Sequence, residues 1–266
     1  MSEKELTFWD HLDEFKKVLF RILIVVVLFA IVAFVCKETL FSIVLAPHRS
    51  DFVLYRLFAL LASELSMPSL YPREFHVDLI SVQLTSQFII HTTAAIYAGV
   101  LLASPYIIYQ LFRFISPALY DNERKYSFRV IAYSFILFFT GVLLNYFLIF
   151  PLSFRFLASH QVTEEVTNMI TLASYMDTLV MLSLMMGIMF ELPIISWLLA
   201  KLGILTDKYM KTYRKHAVIA ILVIAAVITP SGDIFTLLIV SFPIYLLYEL
   251  SISIVRRTQK SVSRKP

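Results

Sequence analysis

Cysteine is almost absent from this chain: Cys36 is the only one in 266 residues. A single cysteine excludes an internal disulfide and any metal cluster built on several cysteines. Glycine is also scarce, and the five glycines form neither a phosphate-cradling loop nor the turn that exposes a nucleophilic serine. Histidine and glutamate show no zinc-binding spacing. We therefore expect no metal, no cofactor and no enzymatic activity.

Charge is the third scarce component. Charged residues make up 16% of the chain and hydrophobic residues 59%, whereas about a quarter of a soluble domain is charged. This composition predicts a polytopic membrane protein of the all-α class. An apolar run of about 20 residues is long enough to cross the hydrocarbon core. Six transmembrane helices are predicted, at about 18–36, 88–112, 128–152, 178–202, 217–229 and 234–255.

The distribution of positive charge predicts the orientation of these spans. The N-terminal segment, the connections between spans 2 and 3 and between spans 4 and 5, and the C-terminal tail hold 18 of the 23 Lys and Arg. Positive charge marks the cytoplasmic side, so both termini of this multi-pass protein should be cytoplasmic. We expect one membrane domain over residues 1–255 and a basic cytoplasmic tail over 256–266. The acidic N-terminus does not match a cleavable signal peptide.

Two features of the connections are informative. The first long loop contains the apolar stretches Leu40–Leu45 and Phe52–Leu65, which should form short helices lying over the bundle. The fifth span covers only about 20 Å at 1.5 Å per residue, against about 30 Å of hydrocarbon. Spans five and six therefore form a short hairpin, for which either the bilayer thins or flanking residues are drawn inward. The alternative is a fifth helix that extends back through His216.

Acidic side chains occur on the otherwise basic cytoplasmic face. The connection Phe114–Arg124 carries Asp121 and Glu123, and Glu14 lies just before the first span. Glu14 and Glu123 should lie at the depth of the headgroups, where they could bind a cationic ligand. Arginine suits such a site because its guanidinium fork binds a carboxylate through two hydrogen bonds. The alternative is pairing with neighbouring lysines or arginines, which contributes only about 0–1 kcal/mol.

Glu191 lies near the middle of the fourth span, two residues before Pro193. A carboxylate at that depth costs at least about 2.5–3.5 kcal/mol, so it should face a cavity or a partner. Pro193 should kink the helix. Three interpretations remain: a protonated glutamate paired inside the bundle, a docking point for a polar membrane helix, or the proton-linked site of a small-solute secondary transporter. Asn145 and Tyr146 are interpreted as packing groups at the outer interface.

A set of motifs extends over essentially the whole chain. They are His11-Leu-Asp-Glu14, Ala46-Pro47, Ser104-Pro-Tyr-Ile-Ile-Tyr-Gln110, Phe114-Ile-Ser-Pro-Ala-Leu-Tyr-Asp-Asn-Glu-Arg124, Asn145-Tyr-Phe147, Phe190-Glu-Leu-Pro193 and Thr229-Pro230 with Asp233. Together with six spans and cytoplasmic termini, these motifs resemble the TatC family, the polytopic subunit of the twin-arginine protein translocase.

The resemblance implies a concave, glove-like bundle that recognises twin-arginine signal peptides of folded proteins, with transport driven by the protonmotive force. The signal-peptide site would comprise Glu14, Glu123, Phe114, Pro117, Tyr120, His11 and Lys16. Single-span partners of the TatA and TatB type would dock at Glu191, Pro193, Tyr146 and Asp233. The resemblance also implies contact with membrane lipids and with further copies of the chain in a larger complex. Nucleic acid is not an expected partner.

Three positions depart from the family pattern. Lys16 stands where the family usually has arginine, and Leu237 stands where a polar glutamine can follow the last turn. That turn, Pro230-Ser-Gly-Asp233, also has one residue more than the Pro-Pro-Asp of some members. These departures affect how a signal peptide would be held and how the contact with a partner helix would be completed.

Overall fold

The computed structural model describes residues 8–64, 77–115, 127–160, 163, 168–229 and 232–262. Nearly all of its regular structure is helical. The helices are α1 (Phe8–Val35), α2 (Lys37–Val44), α3 (Val53–Glu64), α4 (Ser86–Ile115), α5 (Ser127–Leu144), α6 (Phe150–Ser159), α7 (Leu172–Met189), α8 (Leu192–Lys201), α9 (Asp207–Thr212), α10 (Arg214–Ile228) and α11 (Ile234–Val262). Within the described residues, a 3₁₀ turn at Ala46–His48 and a π-helical turn at Asn145–Ile149 complete the helical structure. The all-α prediction is confirmed.

Five helical stretches in the described part of the chain are long and apolar enough to cross a membrane. They are Leu12–Val35, Ser86–Phe114, Arg129–Ser159, Leu172–Lys201 and Ile234–Lys260. They coincide with predicted spans one, two, three, four and six. The fifth predicted span corresponds to α10, which has 15 residues and includes His216. Even with this extension, α10 covers only about 22 Å at 1.5 Å per residue.

The third span is longer than predicted because a proline is accommodated inside it. Pro151 has no backbone N–H, and its ring would clash with the carbonyl four residues earlier in a regular α-helix. The preceding turn is π-helical, and the Phe150 N–H donates to the carbonyl of Asn145 instead. A π-turn widens the helix locally. The chain therefore continues through α6 to Ser159 rather than ending near residue 152.

The fourth span is interrupted where Pro193 predicts a kink. α7 ends at Met189 and α8 begins at Leu192, so Phe190 and Glu191 form the junction. The N–H groups of Ile194 and Ile195 both donate to the carbonyl of Glu191, at 3.0 and 2.9 Å. The break is thus a tight turn whose backbone groups remain hydrogen-bonded, and Glu191 lies at its centre.

The loop after α1 forms the two short helices expected from its apolar stretches, α2 and α3. Tyrosine hydroxyls hold this loop in place: Tyr146 donates to the Ile43 carbonyl at 2.7 Å, and Tyr175 donates to the Val44 carbonyl at 2.8 Å. These carbonyls belong to the last turn of α2, where no intrahelical donor is available. The buried Tyr55 donates to the Pro151 carbonyl at 3.1 Å. Burial raises the pKa of Tyr55 to about 12 although the nearby Arg155 lowers it, so the hydroxyl keeps its proton.

A short β-ladder was not predicted. Strands β1 (Leu79–Ile80) and β2 (Ile170–Thr171) pair in parallel, with Leu79 opposite Ile170 and Ile80 opposite Thr171. At two residues per strand, the ladder joins the ends of two connections and leaves the helical class unchanged.

The Cα positions form two compact units. Unit one comprises residues 1–40 and 91–136, and unit two comprises residues 41–90 and 137–266. Within unit one, α1 packs closely on α4, because a methyl group at Gly99 would lie 2.8 Å from both the Ala30 nitrogen and the Val26 carbonyl oxygen. Small residues allow such close approach of helices in membranes.

Unit two is organised around α11. Its first part runs beside α10, and its later part packs on α8. Arg214 at the start of α10 forms a salt bridge of 2.7 Å with Glu249 of α11, and the Tyr245 hydroxyl donates to the same carboxylate at 3.2 Å. These contacts fasten the short helix α10 to α11 at the end where α10 begins.

The glycines at the α5–α7 contact provide a test of this packing. A methyl group at Gly141 would lie 2.5 Å from the Met186 carbonyl oxygen, whereas the nearest atoms to one at Gly187 belong to the Phe138 ring, at 2.6 Å. A backbone carbonyl cannot move aside as a ring can, so Gly141→Ala should cost about 1–3 kcal/mol. Thermal unfolding in detergent should show a lower midpoint for Gly141→Ala than for Gly187→Ala. Equal midpoints for the two variants would contradict the close α5–α7 approach.

Candidate functional site

The first candidate site lies in unit one, where the start of α1 meets the end of α4. The rings of Phe15 and Phe114 are 5.4 Å apart between centroids, in a tilted arrangement. Phe15 directly follows Glu14, and Phe114 lies one residue before the end of α4. The aromatic contact therefore brings the acid-bearing turn of α1 next to the point where the chain enters the connection 116–126.

The charges at the start of α1 are exposed. Lys16 forms an ion pair of 3.5 Å with Asp13, and both side chains are 68% exposed. Such a pair contributes little to stability. Glu14 is exposed and takes part in no salt bridge among the described residues. The alternative in which Lys16 neutralises Glu14 therefore loses support, because Lys16 pairs with Asp13.

The remaining predicted residues of this site are described only in part or not at all. His11 lies in α1, and its side chain is outside the described part of the structure. Pro117, Tyr120 and Glu123 all fall in the segment 116–126, outside the described residues. Their roles stay predictions.

Gln110 is a polar residue of this region that sequence reasoning did not single out. It is 3% exposed and lies one helical turn before Phe114 on the same face of α4. Its amide nitrogen donates to the Tyr106 hydroxyl at 2.5 Å, while its Oε1 is buried and accepts no hydrogen bond. In the sequence, Gln110 is the last residue of the motif Ser104–Gln110, which gives no further indication of its burial or its hydrogen bond.

The second candidate site lies in unit two, around the break between α7 and α8. Glu191 is half-buried, and its Oε1 has almost no accessible surface. Pro193 is buried beside it. The close approach of Gly141 to Met186 and Phe190 brings α5 against the turn that precedes Glu191. The carboxyl group is thus held within a packed environment, as its predicted depth in the membrane requires.

A buried polar pair lies two helical turns from Glu191 along α7. The Asn145 amide nitrogen donates to the Ser183 hydroxyl at 2.8 Å, and both residues are fully buried. The interpretation of Asn145 as a packing group agrees with its position: it is enclosed between the π-turn and α7, and its Oδ1 accepts no hydrogen bond. Asn145 is the first residue of the π-turn, and helical periodicity alone could not reveal that it faces Ser183.

The other two predicted docking residues have structural contacts. The Tyr146 hydroxyl donates to the Ile43 carbonyl, and its ring packs edge-on against Phe52 at 5.6 Å. Asp233 caps α11, since its Oδ1 accepts from the Thr236 N–H at 2.7 Å. Such a cap satisfies one of the free N–H groups at a helix start. Both residues shape the ends of helices in unit two, and these contacts neither support nor oppose a role in docking.

These observations define a multi-pass α-helical membrane protein with an acidic, aromatic site at one helix end and a carboxyl group within a span. Among the described residues, no group of His, Cys, Asp or Glu could hold a metal ion. The chain belongs to the TatC family: the model of "Sec-independent protein translocase protein (TatC)" matches residues 10–243. It is therefore a component of the Sec-independent, twin-arginine protein translocase, and this family acts in protein transport rather than in enzymatic catalysis.

Individual relatives agree over nearly the full length. The chain is 34% identical to TatC of Blattabacterium sp. subsp. Periplaneta americana over 256 residues, which cover 95% of this chain and 96% of the relative. It is 30% identical to TatC of Halalkalibacterium halodurans over 264 residues, covering 99% and 94%. A crystal structure described as the twin arginine translocase receptor TatC matches with a TM-score of 0.74 at 29% identity, covering 93% of this chain and 99% of that one.

The contact between α1 and α4 can be tested by cross-linking. In a Cys36→Ser background, Phe15→Cys with Phe114→Cys should be joined by a short bismaleimide, because the native rings are 5.4 Å apart. A protease site inserted between Glu64 and Val77 separates Phe15 from Phe114 in the chain. After cleavage, the two fragments should migrate together on a denaturing gel only if the cross-link has formed. The control pairs Phe15→Cys with Tyr109→Cys, an exposed position on another face of α4. Equal linkage in both pairs would show that the contact is wrong.

Proposed function

We propose that this chain is the receptor subunit of its translocase and binds twin-arginine signal peptides of folded cargo at the α1–α4 end of unit one. The observation that carries the proposal is the Phe15–Phe114 contact, which brings the turn of α1 that carries Glu14 to the end of α4, after which the sequence continues to Glu123. The related crystal structure is described as a twin arginine translocase receptor, which supports the same function here.

The chemistry of the site suits an arginine pair. Two carboxylates can each bind a guanidinium group through two parallel hydrogen bonds, a geometry that lysine cannot match. Phe114, Pro117 and Tyr120 would provide the apolar surface beside the arginines, and His11 and Lys16 would flank it. Hydrogen bonds to charged groups are worth about 1.5–3 kcal/mol each. Such values are large enough to distinguish an arginine pair from a lysine pair.

Glu191 is proposed as the docking point for a single-span partner helix of the TatA or TatB type, with Pro193, Tyr146 and Asp233 shaping the surface around it. A half-buried carboxyl at a break between two helix segments can form a hydrogen bond with a polar group of a partner helix. Hydrogen bonds between membrane helices average about 0.6 kcal/mol and reach about 1.7 kcal/mol. Docking of this strength would be reversible.

The topology completes the proposal. α10 would be a sixth span beside the five long ones, both termini would be cytoplasmic, and the membrane would be the cell (inner) membrane. Residues 1–255 would form the membrane domain and 256–266 the basic tail, with several copies of the chain in the complex. Transport would draw on the protonmotive force. The bias of Lys and Arg toward one side of the predicted spans supports this orientation.

Arginine recognition predicts a specific mutational pattern. Glu14→Gln and Glu123→Gln should each weaken binding of an Arg-Arg signal peptide about tenfold or more, because each loses a charge-assisted hydrogen bond. The same variants should affect a Lys-Lys peptide much less. Fluorescence anisotropy of labelled peptide with purified protein measures both affinities. Glu38→Gln, which removes an exposed carboxylate at the start of α2, is the matched control. An equal loss for both peptides would argue against arginine recognition.

Partner docking predicts a second pattern. Glu191→Ala should reduce copurification of a TatB-like single-span protein while the variant still inserts in the membrane, and Glu191→Gln should retain part of the association because it keeps hydrogen-bonding capacity. Unchanged copurification of Glu191→Ala would contradict the docking role. Solute flux driven by a pH gradient in vesicles containing only this chain, abolished by Glu191→Gln, would favour the transporter alternative instead.

A further inference from the structure

One end of unit two concentrates positive charge without an assigned role. There the turn after α8, the short helix α9 and the last turns of α11 meet; residues 202–215 and 256–260 are called the basic corner below. The Tyr248 hydroxyl donates to the Met210 carbonyl at 2.7 Å, and the Gln259 side chain accepts from the Asp207 N–H at 3.3 Å. Met210 also packs in a buried cluster with Ala200, Ile252 and Val255. α9 is therefore fixed against α11.

The basic corner has more positive than negative charge. Its exposed cations are Lys208, Lys211, Arg214, Lys215, Arg256, Arg257 and Lys260. Lys211 pairs with Asp207 at 2.8 Å, and Arg214 pairs with Glu249 at 2.7 Å. The other five cations form no salt bridge within the described part of the chain.

Cations from α9 and α11 converge on one point. The hydrogen bond from Lys211 is the main cause that lowers the pKa of Asp207, and the charge of Arg256 on α11 contributes to the same lowering. Lys208 is the neighbour of Asp207 in sequence, and Lys260 lies one turn after Arg256. The Asp207 N–H donates to Gln259, which lies between Arg256 and Lys260 in sequence. The start of α9, with Lys208, therefore lies beside the turns of α11 that carry Arg256 and Lys260.

Apolar and aromatic side chains surround these cations. Ile204 is 70% exposed, and Leu202 is also exposed. Tyr209 and Tyr213 are exposed, with ring centroids 4.5 Å apart. Tyrosine is enriched at the membrane–water interface, and exposed apolar groups combined with lysine and arginine are typical of a surface that lies against lipid. Exposed Ile204 and Leu202 would contribute no binding energy to the contact with a water-soluble acidic partner, whereas they can be buried against lipid.

The length of α11 agrees with a position of the basic corner at the membrane surface. Its 29 residues cover about 43 Å, whereas the hydrocarbon core is about 30 Å thick. The final turns, which carry Arg256 and Lys260, extend beyond the hydrocarbon into the headgroup region.

We propose that the basic corner is a binding site for the headgroup phosphate of anionic phospholipids. Lys208, Arg256 and Lys260 contact the phosphate, and Arg256 provides the two-pronged geometry that suits phosphate oxygens. Ile204, Tyr209 and Tyr213 contact the upper part of the acyl chains. The site lies in unit two, uses none of the proposed signal-peptide residues, and holds lipid in the absence of any peptide.

Tryptophan fluorescence provides the test, because the chain has only two tryptophans. Trp9→Phe leaves Trp197, which lies one turn before Lys201 on α8 and carries the Lys201 ammonium 6.0 Å from its ring. Bromine atoms on a lipid acyl chain quench a nearby tryptophan. Full-length protein would be reconstituted in vesicles of brominated phosphatidylglycerol or brominated phosphatidylcholine, without signal peptide, and the relative binding constant would be measured from mixtures.

We expect phosphatidylglycerol to be preferred, and the preference to fall about tenfold or more in Lys208→Gln/Arg256→Gln/Lys260→Gln. The matched control, Lys17→Gln/Arg21→Gln/Arg113→Gln, removes three exposed cations from α1 and α4 and should keep the preference. Lys208→Arg/Lys260→Arg should also keep the preference for phosphatidylglycerol, because it retains both positive charges. This variant shows whether substitution at these two positions is tolerated.

Three results would overturn the proposal. Equal quenching by both lipids would mean that no anionic site exists there. An equal loss in the two triple variants would show that only diffuse surface charge acts. Loss of the preference on adding inorganic phosphate, but not on adding sodium chloride of equal ionic strength, would assign the corner to free phosphate. Since no signal peptide is present, failure here leaves the proposed receptor function untouched.

Discussion

A lipid bilayer offers no hydrogen-bond partners, so every irregularity in a membrane-spanning helix must be satisfied by the chain itself. This constraint explains the least regular parts of the structure. At Pro151 the helix widens into a π-turn, so that the Phe150 N–H reaches the Asn145 carbonyl. At Pro193 the chain makes a tight turn in which the Glu191 carbonyl accepts from two later N–H groups. Where α2 ends, outside the spans, burial has the same effect, and tyrosine hydroxyls from distant helices supply the missing donors.

The same constraint determines where polar side chains are found. Asn145, the first residue of the π-turn, lies in the interior and donates to Ser183, and the break at Pro193 holds Glu191 at a helix junction. A carboxyl at such a junction can change partners without disturbing a regular helix, because the surrounding backbone hydrogen bonds are already made. The structural solution to an internal proline thus also provides a polar contact point within a span.

Much of this arrangement could be predicted from sequence, because hydrophobic length is a strong signal. The five long spans, the two short helices after α1 and the kink at Pro193 were all predicted. The end of the third span was not, since a proline normally indicates a boundary and only the π-turn allows the helix to pass Pro151. The enclosure of Asn145 and the burial of Gln110 depend on which helices pack against each other. Those contacts cannot be predicted from the hydrophobic pattern of a single sequence. Glu14 and Glu123 were recognisable by their charge, whereas the contact of Phe15 with Phe114 required the fold.

The short helix α10 does not cover the thickness of the hydrocarbon core, and a charge pair lies at the end where it begins. α10 has 15 residues, and Glu249 lies 15 residues after the start of α11, so the two arms of the hairpin match in length at about 22 Å. Arg214 and Glu249 meet at that level, with Tyr245 completing the contact. A paired arginine and glutamate can lie nearer the hydrocarbon than either charge alone, because each reduces the desolvation cost of the other. The hairpin can therefore end below the headgroups, while the later turns of α11 continue outward beside α9 and carry their unpaired cations to the membrane surface.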